Sequence, residues 1–446
     1  SNKEIEEKII PLIKVEYDNF LKMLFTFLDL FKSAQMNIWD LWSKANLIFE
    51  SDKELKRVHT FIDIFTWVYE KYKDTLETRN AIDFNDMINL ATDYINTEDV
   101  KVPYTYIIVD EFQDMWIWRY NLINSIIDKN NASLFAVWDD WQSIYRFWWS
   151  DLNVFTKFST YFDYWVISFI NKTYRYPQAV NDITRQFIMQ NKAQIDKSLV
   201  SWNTNTTKDV YEVIEYPNKA DQINLVEKII ESLPSTASII LLGRINSDNI
   251  FKDINVSNKN VKFLTVHKSK WLEGDYVILL NWNAGTYWFP IEIQDDRLLH
   301  LVLSSSDDYP FSEERRLFYV ALTRSKNKTF ILYQAKKKSS FVEELYKYLP
   351  EGWNNFKQVE SESCPKCRKG NVQYNEKSKN WLYSCTRYPK CRFSFYKKVH
   401  FWKHKWKTYL ELPDTYNNFI LSSYSWKNRD LVVNSVYYAM EKRNSQ

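Results

Sequence analysis

The chain has 446 residues, 45% hydrophobic and 26% charged, with a formal net charge of +3. That composition is globular and long enough for two or three domains, and +3 on this length selects no partner by itself. No apolar run reaches the roughly 18 residues of a membrane span, no signal peptide opens the chain, and the four cysteines are confined to positions 364, 367, 385 and 391. These features argue against a membrane protein or a disulfide-stapled secreted one, and the expected location is cytoplasmic.

In chain order, residues 1–100 read as helical, with apolar residues at helical spacing from Ile9 to Phe31 and from Val58 to Tyr72. Short β-branched runs then end in polar residues: Tyr106 to Val109 before Asp110, Ser133 to Val137 before Asp139 and Asp140, and Tyr164 to Ile170 before Asn171. Apolar strands alternating with helices predict a parallel α/β sheet, whose ligands bind at the strands' carboxyl ends. A second such unit is expected at about 186–348. Its strands are Ser238 to Leu242, Val261 to Val266, Tyr276 to Leu280 and Thr329 to Tyr333, and its helices lie near Gln222 to Leu233 and Glu314 to Leu322. Glu351 to Glu362 reads as a linker. A cysteine module and a basic aromatic tail follow.

The acidic run at 110–114, DEFQD, has the chemistry of a hydrolytic centre. One carboxylate can hold Mg²⁺, which prefers hard oxygen ligands, and its neighbour can orient or deprotonate a water. By itself the run reads equally as an exposed acidic loop.

The segments VDEFQD at 109–114, VWDDWQSIYRF at 137–147, NKTYRYP at 171–177, FLTVHKSKWLEGDYVILL at 263–280 and EERRLFYVALTRS at 313–325 resemble, in order, motifs II to VI of superfamily 1 helicases of the UvrD/Rep type. DDWQ, AIDFNDMINLAT at 81–92 and NAGTYWFP at 283–290 favour the DNA helicase IV branch. The resemblance spans roughly residues 75–345. It implies that Asp110 ligates Mg²⁺, Glu111 acts on the hydrolytic water and Gln142 senses the γ-phosphate of ATP. It implies Tyr174 near the adenine, Arg175 at the γ-phosphate, Glu273 near the ribose and Arg324 as an arginine finger. Tyr145 and Phe147 fall where the family presents aromatics to single-stranded DNA, since rings stack on any base; Phe147 reads equally as core. Thr265 and His267 match the DNA-proximal part of motif V. Two departures stand out. No GxxxxGK[ST] phosphate loop occurs in the chain, and WKHKWKT at 402–408 has the wrong spacing and position to be one, so truncation before motif I is expected. The large 2B insertion of UvrD and Rep has no room, as in helicase IV-like proteins.

Cys364, Cys367, Cys385 and Cys391 have metal-knuckle spacing, and four thiolates suit tetrahedral structural Zn²⁺. The module resembles the zinc ribbons of type IA topoisomerases. Its cations, Arg368 and Lys390 among them, are interleaved with aromatics, a pattern suited to single-stranded nucleic acid or to a solvated basic face. The tail resembles a small glycine-containing module of unassigned activity.

Average glycine usage of about 7% would give roughly 31 glycines; the chain has 5, against 19 tryptophans. Trp138, Trp149, Trp271, Trp288, Trp381, Trp402 and Trp406 stand where the resembling families have glycine. A ring at a tight turn is the least compatible exchange. The pattern predicts UGA codons that the source reads as glycine, and TGG codons at Trp138, Trp271, Trp288 and Trp406 would contradict it.

The expected architecture is α/β: two RecA-like P-loop NTPase domains, the first N-terminally truncated, plus a small C-terminal zinc ribbon. The expected boundaries are a helical segment at 1–75, domain 1A at 76–185, domain 2A at 186–348, the ribbon at 360–397 and the basic module at 398–446. The expected function is an ATP-dependent DNA helicase or translocase, 3′→5′ by resemblance. It would use ATP, Mg²⁺ and Zn²⁺, and would act on single-stranded DNA and duplex junctions in bacterial repair or recombination. It would be nucleoid-associated, with no membrane partner and no protein partner indicated. This chain alone is expected to hydrolyse ATP poorly. The alternative is a nucleic-acid-binding repair accessory that has lost ATPase activity; an upstream GxGKT segment separates the two.

Overall fold

The protein is described by a computed structural model covering residues 10–98, 100, 102–145, 158, 162, 165–251, 253, 254, 260–286, 288–292, 296–303, 309–350, 356–358, 364–369, 371–374, 382–396, 409, 412–423 and 429–444. Two compact units emerge. The first comprises Ser1–Lys172, Thr184–Leu199 and Ile291–Val320; the second comprises Thr173–Ile183, Val200–Pro290 and Ala321–Gln446.

The first unit opens with helices α1 (Ile10–Ser33), α2 (Ile38–Ile48), α3 (Asp52–Thr78) and α4 (Phe84–Thr97). Asn37 and Asp83 close capping boxes and Ser51 caps α3, satisfying amide groups that a helix start leaves orphaned. The apolar spacing becomes an aromatic core: Phe27 meets Phe61 and Phe65 edge-on at 4.8 and 4.7 Å, a favoured ring geometry. Leu298, Leu301 and Val302 bury into the same cluster, and Arg57 pairs with Asp296 at 2.7 Å. These contacts are why segment 291–320 belongs with the helices.

After them come β1 (Tyr106–Val109), α5 (Ile117–Asn130) and β2 (Ser133–Ala136), with β1 and β2 parallel. Val109, Leu134 and Ala136 of the strands and Ile117, Tyr120 and Ile123 of α5 all pack against buried Phe112 and Met115. The expected third strand, Tyr164 to Ile170, is corrected: described residues 165–170 form no strand and are exposed. β-branched composition supplies propensity, but a strand also needs a ladder partner and a covering face, and this run has neither.

Further along are β3 (Lys172–Thr173), α6 (Gln178–Ile188) and β4 (Val200–Ser201), with β3 pairing β4. The second unit centres on β5 (Tyr211–Tyr216), α7 (Lys219–Ser232), β6 (Ile239–Gly243), β7 (Val261–Thr265), β8 (Gly274–Leu279), α8 (Ser312–Leu322), β9 (Ser325–Gln334), α9 (Ser340–Tyr346) and β10 (Phe356–Gln358). α8 begins in the first unit and ends in the second. The strands form a six-stranded, all-parallel sheet ordered β10-β5-β9-β8-β6-β7. β6 (IILLG) is a continuous, fully buried apolar run, and β8 and β9 carry apolar runs at YVIL and FILY, the pattern of a parallel sheet covered on both faces. The expected linker at 351–362 is corrected in part, because β10 within it extends the sheet beside β5.

The cysteine module is an antiparallel ribbon of β11 (Val372–Tyr374), β12 (Leu382–Cys385) and β13 (Ser394–Tyr396). Tail helices α10 (Asp414–Ser423) and α11 (Arg429–Asn444) follow. α11 packs on β13: Tyr438 stacks on Phe395 at 4.1 Å, and Ser435 accepts the Tyr396 amide at 2.7 Å.

Candidate functional site

Glu111 leaves β1 with φ 54° and ψ 44°, a left-handed conformation uncommon outside glycine and frequent at functional sites. The turn exposes Asp110 and leaves Glu111 half-buried. The Glu111 amide donates to the Asp110 carboxylate at 2.9 Å. The Gln113 side-chain amide donates to the Glu111 carboxylate, and its carbonyl oxygen accepts the Asp139 amide at 2.9 Å. Gln113 therefore ties the acidic turn after β1 to the turn after β2. Asp110 offers accessible hard oxygens at a strand's carboxyl end, a donor suited to Mg²⁺.

The second turn is the DDWQ segment. Gln142 donates to the Asp139 carboxylate at 2.5 Å. Trp141 is fully buried; its indole donates to the Ile195 carbonyl at 3.0 Å, and its ring lies edge-on to Tyr319. Lys197 reaches Asp139 at 2.6 Å and also pairs with Asp140. Buried Arg316 donates to the Ser143 carbonyl at 2.6 Å. Tyr145 is half-buried; burial first, then Asp114 and Glu111, raises its pKa, so its phenol stays protonated. Phe147 lies outside the described residues.

In the second unit, Arg175 donates to Glu273 at 2.8 Å, and Lys326 reaches the other Glu273 oxygen at 3.0 Å. Hydrogen bonds from Arg175 and then Lys326 hold Glu273 below its ordinary pKa. Tyr174 is 68% exposed with Trp202 edge-on at 5.8 Å, which leaves its ring open for stacking. Arg324 is buried; it donates to the Lys270 carbonyl and, at 3.1 Å, to the Thr323 hydroxyl. Thr265 ends β7 opposite Gly243. His267 follows on a short turn, and burial, then the Arg244 charge, lowers its pKa to about 4. At neutral pH it is an uncharged imidazole.

Glu273 and Arg324 immediately precede the paired strand starts Gly274 and Ser325. Thr265 and His267 lie at the sheet's carboxyl edge, so the motif V segment joins opposite edges of one parallel sheet.

The Sγ atoms of Cys364, Cys367, Cys385 and Cys391 all lie within 4.8 Å of one another, with Cys364–Cys391 at 3.8 Å and Cys367–Cys385 at 3.6 Å. A tetrahedron with Zn–S bonds of about 2.3 Å has edges of about 3.8 Å, so the spacing fits Zn²⁺. Burial, ahead of hydrogen bonds, pushes the Cys385 thiol up to about 12; a cation held by the four sulfurs would favour its thiolate. Arg368 and Lys390 are exposed beside this centre.

Residues 5–163 match the UvrD/REP helicase N-terminal domain and residues 250–336 the UvrD-like helicase C-terminal domain. The chain belongs to the UvrD-like helicases. It is 29% identical to DNA helicase IV of Escherichia coli K12 over 307 residues, 68% of this chain and 44% of that protein. It is 26% identical to a probable DNA helicase II homolog of Mycoplasma capricolum over 239 residues, 52% of this chain and 33% of that protein. It is 25% identical to ATP-dependent DNA helicase PcrA of Leuconostoc citreum over 222 residues, 47% and 29%. The chain spans less than half the length of these relatives.

Asp110, Glu111, Gln142 and Tyr145 fall in the first unit, while Tyr174, Arg175, Thr265, His267, Glu273 and Arg324 fall in the second. Lys197, Arg316 and Lys326 were not singled out from sequence. Arg316 lies inside the EERR segment and Lys326 two residues after Arg324, so both were within reach. Lys197, 58 residues from Asp139, had no local signal.

Proposed function

We propose that the chain is the motor portion of an ATP-dependent DNA helicase or translocase. It moves 3′→5′ on single-stranded DNA and at duplex junctions, and serves bacterial repair or recombination in the cytoplasm at the nucleoid. The carrying observation is the left-handed Glu111, tied through Gln113 to the Asp139–Gln142 turn within a matched helicase domain. Glu111 orients the hydrolytic water, and Gln142 is the candidate γ-phosphate sensor. Asp110 would hold Mg²⁺, which neutralises phosphate charge when bound. Arg175 and Arg324 are the candidate phosphate cations, Tyr174 the adenine platform and Glu273 the ribose contact. Arg324 must leave its buried carbonyl to act, and Arg175 must exchange Glu273 for phosphate.

DNA contacts fall to Tyr145, Phe147, Thr265 and His267, with Arg368 and Lys390 on the ribbon. A neutral His267 contributes a hydrogen bond rather than a phosphate counter-charge. The reading is tested by Glu111→Gln in the protein expressed from its complete reading frame. ATP hydrolysis is expected to fall at least a hundredfold with DNA affinity unchanged; retained DNA-stimulated turnover refutes the role. The accessory reading draws on the lack of a GxxxxGK[ST] segment in these 446 residues, and wild-type protein without ATPase activity would favour it.

A further inference from the structure

Lys197 lies in the segment after α6, remote in sequence from every motif, with its side chain only 15% exposed. Its ammonium binds Asp139 at 2.6 Å and contacts the Asp140 carboxylate, and it sits 5.1 Å from the Trp141 ring centroid. Burying an ammonium is costly unless it is paired, so the enclosure is built around the two carboxylates.

Those carboxylates have different duties. Asp140 is 1% exposed and accepts the Ile195 amide at 2.8 Å, which fastens the tetrad to the segment that carries Lys197. Asp139 is the branching point. One oxygen takes Lys197, the other takes the Gln142 amide at 2.5 Å, and its backbone amide donates to Gln113, which in turn holds Glu111. Burial would lower the pKa of Lys197, but Asp139 and Asp140 outweigh it and hold the ammonium above its ordinary value. Burial would raise Asp139, and Lys197 first, then Gln142 and the Trp141 amide, hold it below the usual carboxylate range. Burial dominates for enclosed Asp140, which is raised. Without the ammonium, adjacent carboxylates would repel each other in a poorly solvated site.

We propose that Lys197 is a positioning residue for ATP hydrolysis: by clamping Asp139 and Asp140 it holds Gln142, and through Gln113 also Glu111, in the arrangement that directs water at the γ-phosphate. This rests on the ATPase reading. It assigns Lys197 no contact with nucleotide.

The test uses the protein from its complete reading frame, measuring kcat and KM for DNA-stimulated ATP hydrolysis. Lys197→Met is expected to lower kcat at least tenfold with KM for ATP within threefold, and Lys197→Arg to recover kcat to within threefold of wild type. In a Gln142→Ala background, Lys197→Met should cost clearly less than it does in wild type, because the path to Gln142 is already broken and only the path through Gln113 to Glu111 is left to lose; losses from independent sites multiply instead. A kcat within twofold of wild type in Lys197→Met, or full multiplication in the double variant, overturns the proposal. If Lys197→Met does not fold, Asp139→Asn carries the test: a tenfold loss of kcat at near-constant KM is expected, and an unchanged kcat overturns it. Active wild type with inactive Glu111→Gln and unaffected Lys197→Met sinks this inference alone. Inactive wild type sinks the ATPase reading and this inference with it.

Discussion

Glu111, the residue proposed to orient the hydrolytic water, sits in a left-handed backbone conformation that few side chains adopt. A non-glycine residue at φ 54° costs about 1–3 kcal/mol and persists only where its surroundings fix it; here Gln113 and the Asp110 carboxylate do so. Among the described residues, the glycine-poor chain also takes positive φ at Gln35, Asn80, Asn131, Asn281, Phe311, Lys336 and Arg368. Trp138, Trp271 and Trp288 are not among these positive-φ residues, so their backbones do not by themselves require glycine. Gly285 at φ 133° does. His267 supports a pH prediction. The unfolded chain takes up a proton near pH 6.5, whereas the folded protein refuses it until about pH 4. The unfolded state therefore binds more protons across this window, and stability falls as pH drops from 6.5 to 4, by up to about 3 kcal/mol. His267→Gln should flatten that part of the Tm-against-pH curve; an identical acid slope in the variant contradicts the assignment.

At the scale of elements, the ribbon and tail helices form one packed piece, since α11 supplies Tyr438 and Ser435 to β13. The four-cysteine cluster joins the turn before β11 to the end of β12 and the turn before β13, so a metal bound there would tie all three together. Cys364→Ser should abolish stoichiometric zinc by mass spectrometry and weaken single-stranded DNA binding several-fold. Wild type should release zinc on acidification, because thiolates reprotonate. Wild-type zinc content in the variant would count against the site. The six-stranded sheet makes a different point. β6 and β8 were legible as apolar runs, but β5, YEVIEY, was missed because Glu212 and Glu215 interrupt its pattern. Lys328 pairs with Glu212 at 2.8 Å, a tertiary compensation with no local sequence mark. The run at 165–170 failed the opposite way, with strand composition but no partner.

For the molecule as a whole, the ordered motifs made the α/β class and the helicase family readable, because short peptide strings carry them. Pairing between distant segments was not readable: the 291–320 segment joins the helical core through Leu298 and Leu301, and Lys197 reaches back to the tetrad. If these parts serve a DNA-driven ATPase, as proposed, the ATP hydrolysis rate of the protein from its complete reading frame depends on single-stranded DNA. Saturable stimulation of at least tenfold is expected as single-stranded DNA is titrated in, and a rate that stays at its DNA-free value across the titration would refute a DNA-driven ATPase.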